Sequence, residues 1–158
     1  MVMRMVTVTD VEMAQQAWGE GIVAIASAHS AGMDYVARAK EHIQSLYAYG
    51  ITSVLFKPTF ASQDQFRSTF EGALSYFVAE NNVCPEDKGF AIKGWTKVRF
   101  ENEGIIIHGS TAMAMGNYFF TTPEGDEVKV EFSFGYIVDS AGDLRIHMHH
   151  SSIPASID

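Results

Sequence analysis

The chain has 158 residues, 11 Lys and Arg against 19 Asp and Glu, and a formal charge of −8 with histidines neutral. Such an acidic balance lacks the clustered cations whose counterion release drives binding to a phosphate backbone, and 47% hydrophobic content is incompatible with disorder, so nucleic-acid partners and an unfolded chain are set aside. The length reads as one domain over residues 1–158, large enough to bury a core without a disulfide, and a single cysteine agrees with a reducing compartment.

Met1 to Thr9 carries one Arg and no apolar run of signal-peptide length, and no stretch approaches the roughly 20 apolar residues of a membrane span. A cytoplasmic protein with no membrane partner is expected, although a leader already removed would leave no trace. Thr9 and Glu12 have capping-box spacing, and Val11, Ala14, Trp18, Ile22 and Ile25 then predict a helix to about Ala28, weakened by Gly19 and Gly21. Asp34 is placed to cap a second helix with the stripe Val36, Ala39, Ile43 and Leu46, ended by Gly50. Ile51 to Phe56 reads as a strand stopped by Pro58. Ser62 with Gln65 repeats the capping-box spacing ahead of Phe66, Phe70, Ala73 and Phe77, a third helix, and Asn81 to Gly89 is polar loop.

From Phe90 the period becomes two. Strands are predicted at Ala91 to Asn102, Gly104 to His108, Thr111 to Thr121, Glu127 to Val138 and Leu144 to Ser152, joined by turn-forming segments. Helices followed by an antiparallel meander define an α+β domain. Alternation places Val128, Val130, Phe132, Phe134 and Tyr136 on one face, with Leu144, Ile146, Met148 and His150 beside them, and Tyr118 and Phe120 in the same apolar set. That wall, with Trp18, Phe56 and Phe100, is either a dense core or the lining of a small-ligand pocket. The opposite face holds Lys97, Arg99, Glu101, Met113, Met115, Asn117, Lys129, Glu131, Arg145, His147, His149 and Ser151. Its mixture of charge and methionine suits an oligomer interface centred on Arg99, Met113, Met115, Glu131, His147 and His149, the alternative being a solvated surface.

For acid–base chemistry the inward strand candidates are His150 and Tyr118, with Tyr35, Tyr47 or Asp34 available from the helices. His147 and His149 form an H-x-H pair, but no spacing supplies further metal ligands from His108 or Glu131, so no metal and no cofactor is expected. Cys84 lies in a polar loop with no histidine nearby in sequence and reads poorly as a nucleophile. Phosphate-binding glycine motifs are absent.

The segment Ile146 to Pro154, IHMHHSSIP, resembles the closing strand of the calcium/calmodulin-dependent protein kinase II association domain. VLFKP at Val54 to Pro58 and DKGFAIKGWTKVRFENE from Asp87 to Glu103 are similar to its stand-alone bacterial relatives, a group without an assigned reaction. The resemblance implies a nuclear transport factor 2-like (cystatin-like, SnoaL-like) cone: three N-terminal helices on a curved, mostly antiparallel sheet. It also implies a homodimer or higher homo-oligomer and a deep pocket between sheet and helices. Kinase association domains carry arginines in that pocket where this chain has Tyr118, Phe134 and His150, which weighs against an anionic ligand and toward a small apolar one. Ketosteroid-isomerase-like members place a carboxylate before the proline of the first strand, where this chain has Lys57 before Pro58. The expectation is therefore an uncharacterised oligomeric domain with a hydrophobic pocket; the alternative is an isomerase, hydratase or cyclase using His150 as acid–base group with Tyr118 or Tyr136 as hydrogen-bond donor.

Overall fold

Thr7, in extended backbone, starts the first helix: its hydroxyl accepts from the Asp10 amide at 3.1 Å and its own amide donates to the Asp10 carboxylate at 2.9 Å. This capping box lies two residues earlier than the expected Thr9–Glu12 pair, and helix α1 runs Val8–Ser30 in the computed structural model, which describes residues 4–157. Asp34 caps α2, Tyr35–Leu46, by accepting from the Ala37 amide at 3.0 Å. Gly21 lets the two helices close on each other, because a Cβ there would lie 2.0 Å from His42 Nδ1.

Strand β1 is only Leu55–Lys57, shorter and later than the expected Ile51 to Phe56. Helix α3, Phe70–Val78, is capped by Thr69 accepting from the Gly72 amide at 3.0 Å rather than by Ser62. The Ser62–Gln65 spacing misleads because another side chain serves those amides. Glu86 accepts from the backbone of Ser62, Gln63 and Asp64 at 2.7–3.0 Å and holds the segment as a loop. Phe90–Ile92 is a single 3-10 turn, and β2 follows at Lys97–His108, β3 at Thr111–Thr121, β4 at Glu127–Val138 and β5 at Leu144–Ser152.

The sheet order is β1-β5-β4-β3-β2, with β1 parallel to β5 and every other pair antiparallel. Helices pack on one face of this curved sheet, giving the α+β cone of nuclear transport factor 2-like proteins. Two bulges set which side chains face the helices. In β2 the expected turn at Asn102 to Gly104 is a bulge within one strand: Asn102 opposes Gly116, Gly104 opposes Met115, and Glu103 is extra. Gly116 accommodates it, since a Cβ there would lie 2.1 Å from the Glu101 carbonyl oxygen.

In β5, Ile146 opposes Tyr136 and Met148 opposes Gly135, so His147 is extra. His147 and Met148 both lie over Gly135, whose added Cβ would meet the Met148 Cβ at 3.1 Å and His147 Nε2 at 3.3 Å. Beyond this point parity is reversed. His149 and Ser151 point into the core, whereas Met148 and His150 lie on the outer face, His150 exposed. The inward assignments of Met148 and His150 are corrected accordingly.

Candidate functional site

The inner face of the sheet is closed by aromatic rings. Trp18 from α1 stacks on Tyr118 of β3 at 5.3 Å, and Phe100, Phe120, Phe132 and Phe134 surround the pair. The residues expected to line a pocket thus divide: Trp18, Phe56, Tyr118, Phe132, Phe134 and Tyr136 are buried, Phe100 is half-buried, and Met148 and His150 face away. Of the residues expected on the outer face, Arg99, Met113, Met115, Glu131 and His147 are there. Arg99 pairs with Glu127 and Glu101, and Glu131 accepts from Ser152. His149 is not.

His149 is the centre of a continuous polar seam through this apolar interior. Its ring is stacked on Phe56 at 4.8 Å and leans on Phe134 at 4.2 Å. Nδ1 is 2.8 Å from the Tyr47 hydroxyl, which accepts a hydrogen bond from Trp18 Nε1 at 3.0 Å. Nε2 is 3.1 Å from the Tyr118 hydroxyl, which donates to Ser151 Oγ at 2.5 Å. Ser151 Oγ is 2.6 Å from Thr59 Oγ1 in the segment following β1. The parallel pairing of β1 with β5 builds this end, setting Phe56 opposite His149 and delivering Thr59 past Pro58 to Ser151.

Thr59 is half-buried and is where the seam approaches the surface. Tyr76 of α3 lies beside it, its hydroxyl oxygen accepting from the Phe60 amide at 3.4 Å. Beside Tyr76 opens a cavity of about 270 Å³ whose walls include Phe60, Phe90 and Lys93, with Lys93 Nζ 5.1 Å from the centre of the Phe60 ring. Buried Arg67 anchors the connecting loop: it forms a bidentate pair with Asp87 at 2.6 and 2.7 Å, and its amide donates to the Phe56 carbonyl at 2.7 Å.

Burial governs the electrostatics. It holds His149 well below the ordinary imidazole value, with His150 and His42 adding to the effect. Desolvation raises the Tyr47, Tyr118 and Tyr76 phenols above theirs. At neutral pH the seam is a set of uncharged donors and acceptors in a low-dielectric interior, where hydrogen bonds to a developing charge are strong. Burial likewise raises the Cys84 thiol, leaving it a poor nucleophile. His147 and His149 point to opposite faces and do not form a chelating pair, and among the described residues no group of three or more His, Cys, Asp or Glu side chains converges on a common point.

The family model described as metal-independent carbonic anhydrase matches residues 9–153. The chain belongs to the metal-independent carbonic anhydrase family. A metal-independent carbonic anhydrase of Nostoc sp. (strain PCC 7120) is 44% identical over 154 residues, covering 96% of this chain and 75% of that protein. The crystal structure of an iota-carbonic anhydrase from a cyanobacterium, complexed with bicarbonate, is 42% identical over 99% of this chain and 98% of that one, with a TM-score of 0.95. A calcium/calmodulin-dependent protein kinase II association-domain protein from Xanthomonas campestris superposes with a TM-score of 0.57 at 19% identity over 99% of each chain, a likeness of fold alone.

These findings correct the expected kinship. The association-domain branch shares the cone, but the family is that of the carbonic anhydrases. They also overturn the reading as a domain of unknown function and its isomerase, hydratase or cyclase alternative. The small apolar ligand gives way as well, since bicarbonate in the cyanobacterial relative is polar and charged. The doubt cast on an anion by the missing arginines rested on charge as the only means of anion binding, whereas a cluster of neutral hydroxyl donors also provides one. Among the described residues no helix is long and apolar enough to cross a membrane.

Thr59, Tyr76 and Ser151 were absent from the predicted site, and His149 was assigned to the wrong face. The sequence offers Tyr47 only as one of several helix candidates. A signal existed in His149-x-Ser151, since residues two apart on a strand share a face, but its use required knowing where the bulge falls.

Proposed function

We propose that this chain interconverts carbon dioxide and bicarbonate at the Thr59 end of the buried seam, without a metal in the reaction. The observation that carries the reading is the unbroken run of hydrogen bonds from Trp18 through Tyr47, His149, Tyr118 and Ser151 to Thr59, in a chain 42% identical to a structure complexed with bicarbonate. Membership of the metal-independent carbonic anhydrase family supports the absence of a metal from the reaction.

In the hydration direction, the oxygen of one water adds to the carbon of carbon dioxide. One O–H bond of that water breaks as the new C–O bond forms, and the proton passes to a second water in the cleft. Negative charge grows on the former carbon dioxide oxygens, and the hydroxyls of Thr59 and Tyr76 stabilise it by donating hydrogen bonds in a partly desolvated site. This is stabilisation by pre-positioned donors, which cost no reorganisation when charge develops. Dehydration runs the same steps backwards. His149 and Tyr118 lie too deep to touch the reacting carbon and act by polarising Ser151 and Thr59.

The test is stopped-flow carbon dioxide hydration on the whole chain after dialysis against a chelator. Catalysis above the buffer rate is expected, with Thr59→Val lowering kcat by about 10²-fold, the typical cost of one oxyanion donor, and Ser151→Ala, which acts through Thr59, lowering it less. A wild-type rate equal to buffer, or both variants turning over like wild type, would overturn the reading.

A further inference from the structure

The hydrogen positions along the seam follow from what each group can donate. An indole N–H donates only, so the Tyr47 oxygen accepts from Trp18 and its single hydroxyl hydrogen is left for His149 Nδ1. A neutral imidazole has one N–H, and with Nδ1 accepting, that hydrogen sits on Nε2 and is donated to the Tyr118 oxygen. The opposite end continues the same direction: with Nε2–H donating to it, the Tyr118 oxygen passes its own hydrogen on to Ser151. Ser151 then donates to Thr59 Oγ1, and the Thr59 hydrogen is left pointing out of the seam.

We infer that Trp18 is a positioning residue: acting through Tyr47, its donor-only indole fixes His149 as the Nε2–H tautomer and turns every hydroxyl hydrogen toward the Thr59 end, where it serves an anion. The inference rests on the reaction proposed above and adds the device that gives the site its polarity. The packing keeps the arrangement from reversing. Phe56 and Phe134 hold the imidazole plane, Trp18 is clamped by Tyr118 on its face and by His42 at 5.9 Å, and Gly21 leaves room for His42. Were Nδ1 instead to carry the hydrogen, Tyr47 would face two donors and Nε2 would compete with Ser151 for the one Tyr118 hydrogen, breaking the run at two points.

The whole chain, ¹⁵N-labelled at its 6 histidines, is examined by long-range ¹H–¹⁵N correlation at neutral pH, with His149 assigned from the signals lost in His149→Gln. Wild type should show a protonated Nε2 and an unprotonated Nδ1. Tyr47→Phe, which keeps the ring and removes the donor, should leave Nδ1 unprotonated but move its ¹⁵N resonance downfield as its hydrogen bond is lost, and Trp18→Phe, which frees the Tyr47 oxygen to accept from Nδ1–H, should give a mixture of the two tautomers, with the tautomers of the other histidines unchanged. Both variants should lose kcat for hydration by roughly 10- to 100-fold with KM retained, the scale known for losing the outer hydrogen-bond partner of a metal-binding histidine. An Nδ1–H wild type, or unaltered His149 signals in both variants, would overturn the inference without any variant having to be active. A wild type with the Nε2–H tautomer but no hydration would support the tautomer assignment while sinking the reaction itself.

Discussion

At the scale of single residues, the functional assignment turns on one extra residue. His149 and His150 are adjacent, yet one is buried between aromatic rings and the other is exposed on the outer face, because His147 is bulged out of the register with β4. The two alanine variants should therefore differ sharply. His150→Ala is expected to leave hydration unchanged and stability within about 0.5 kcal/mol, the usual range for a surface substitution. His149→Ala should abolish most of the hydration rate, because the chain of donors is cut and Tyr47 and Tyr118 lose a buried partner; stopped-flow assays and urea melts on the pair check both. Strict alternation predicted the reverse, and it failed for a physical reason: a bulge is set by pairing with another strand, so its position is not carried by β5 alone. Gly21 offers a second residue-level test. Gly21→Ala puts a methyl where His42 Nδ1 stands 2.0 Å away, and a cost of about 1–3 kcal/mol is expected from overpacking, visible as a lower urea midpoint.

At the scale of elements, the meander was legible and the segment before it was not. Strands β3, β4 and β5 have the predicted bounds, because alternation and turn residues are local properties of the sequence. The loop between β1 and α3 has no comparable local code. Its shape is imposed by Arg67, Glu86 and Asp87, and the two acids come from the segment expected only to be polar loop. Asp87→Asn leaves Arg67 buried with its charge uncompensated, and about 3–5 kcal/mol of destabilisation is expected by chemical denaturation. Glu86 gives a test by pH. The amides of Ser62 and Asp64, with further bonds from Gln63 and the Ser62 hydroxyl, lower its carboxyl to about 2. A carboxyl depressed in the folded state stabilises above its unfolded value and loses that contribution as pH falls through the folded one. The melting-temperature gap between wild type and Glu86→Gln should thus be full above about pH 4.5 and close toward pH 2.

At the scale of the whole molecule, the order of helices then strands sufficed for the cone, since layer architecture follows from which faces are apolar. The chemistry was not legible at that scale, because one fold carries many activities; short motifs pointed to the association-domain branch, and only similarity across nearly the whole chain identified the family. The buried histidines also shape the global acid response. His42 is buried without a hydrogen-bond partner and burial lowers it to about 3, while His149 is lowered by the same cause. The unfolded chain protonates these rings below about pH 6.5 and the folded one does not, so unfolding takes up protons and stability falls with pH through that window. Each ring should contribute a slope of about 1.4 kcal/mol per pH unit between its unfolded and folded values. His42→Leu should make the measured slope shallower by one proton near pH 5, read from urea melts at several pH values.

The short parallel pairing of β1 with β5 has a consequence for how the protein acquires its activity. Thr59 and Ser151 are 92 residues apart in the chain, and Tyr47 and His149 are 102 apart. Contacts between such distant residues close large loops, a slow step compared with turning a helix or zipping a hairpin. On a ribosome the helices and the first hairpins have emerged before Ser151 exists, so a nascent chain can be largely structured yet inert. Activity should then arrive only after β5 has been made, when that strand slides between β4 and the waiting edge of β1.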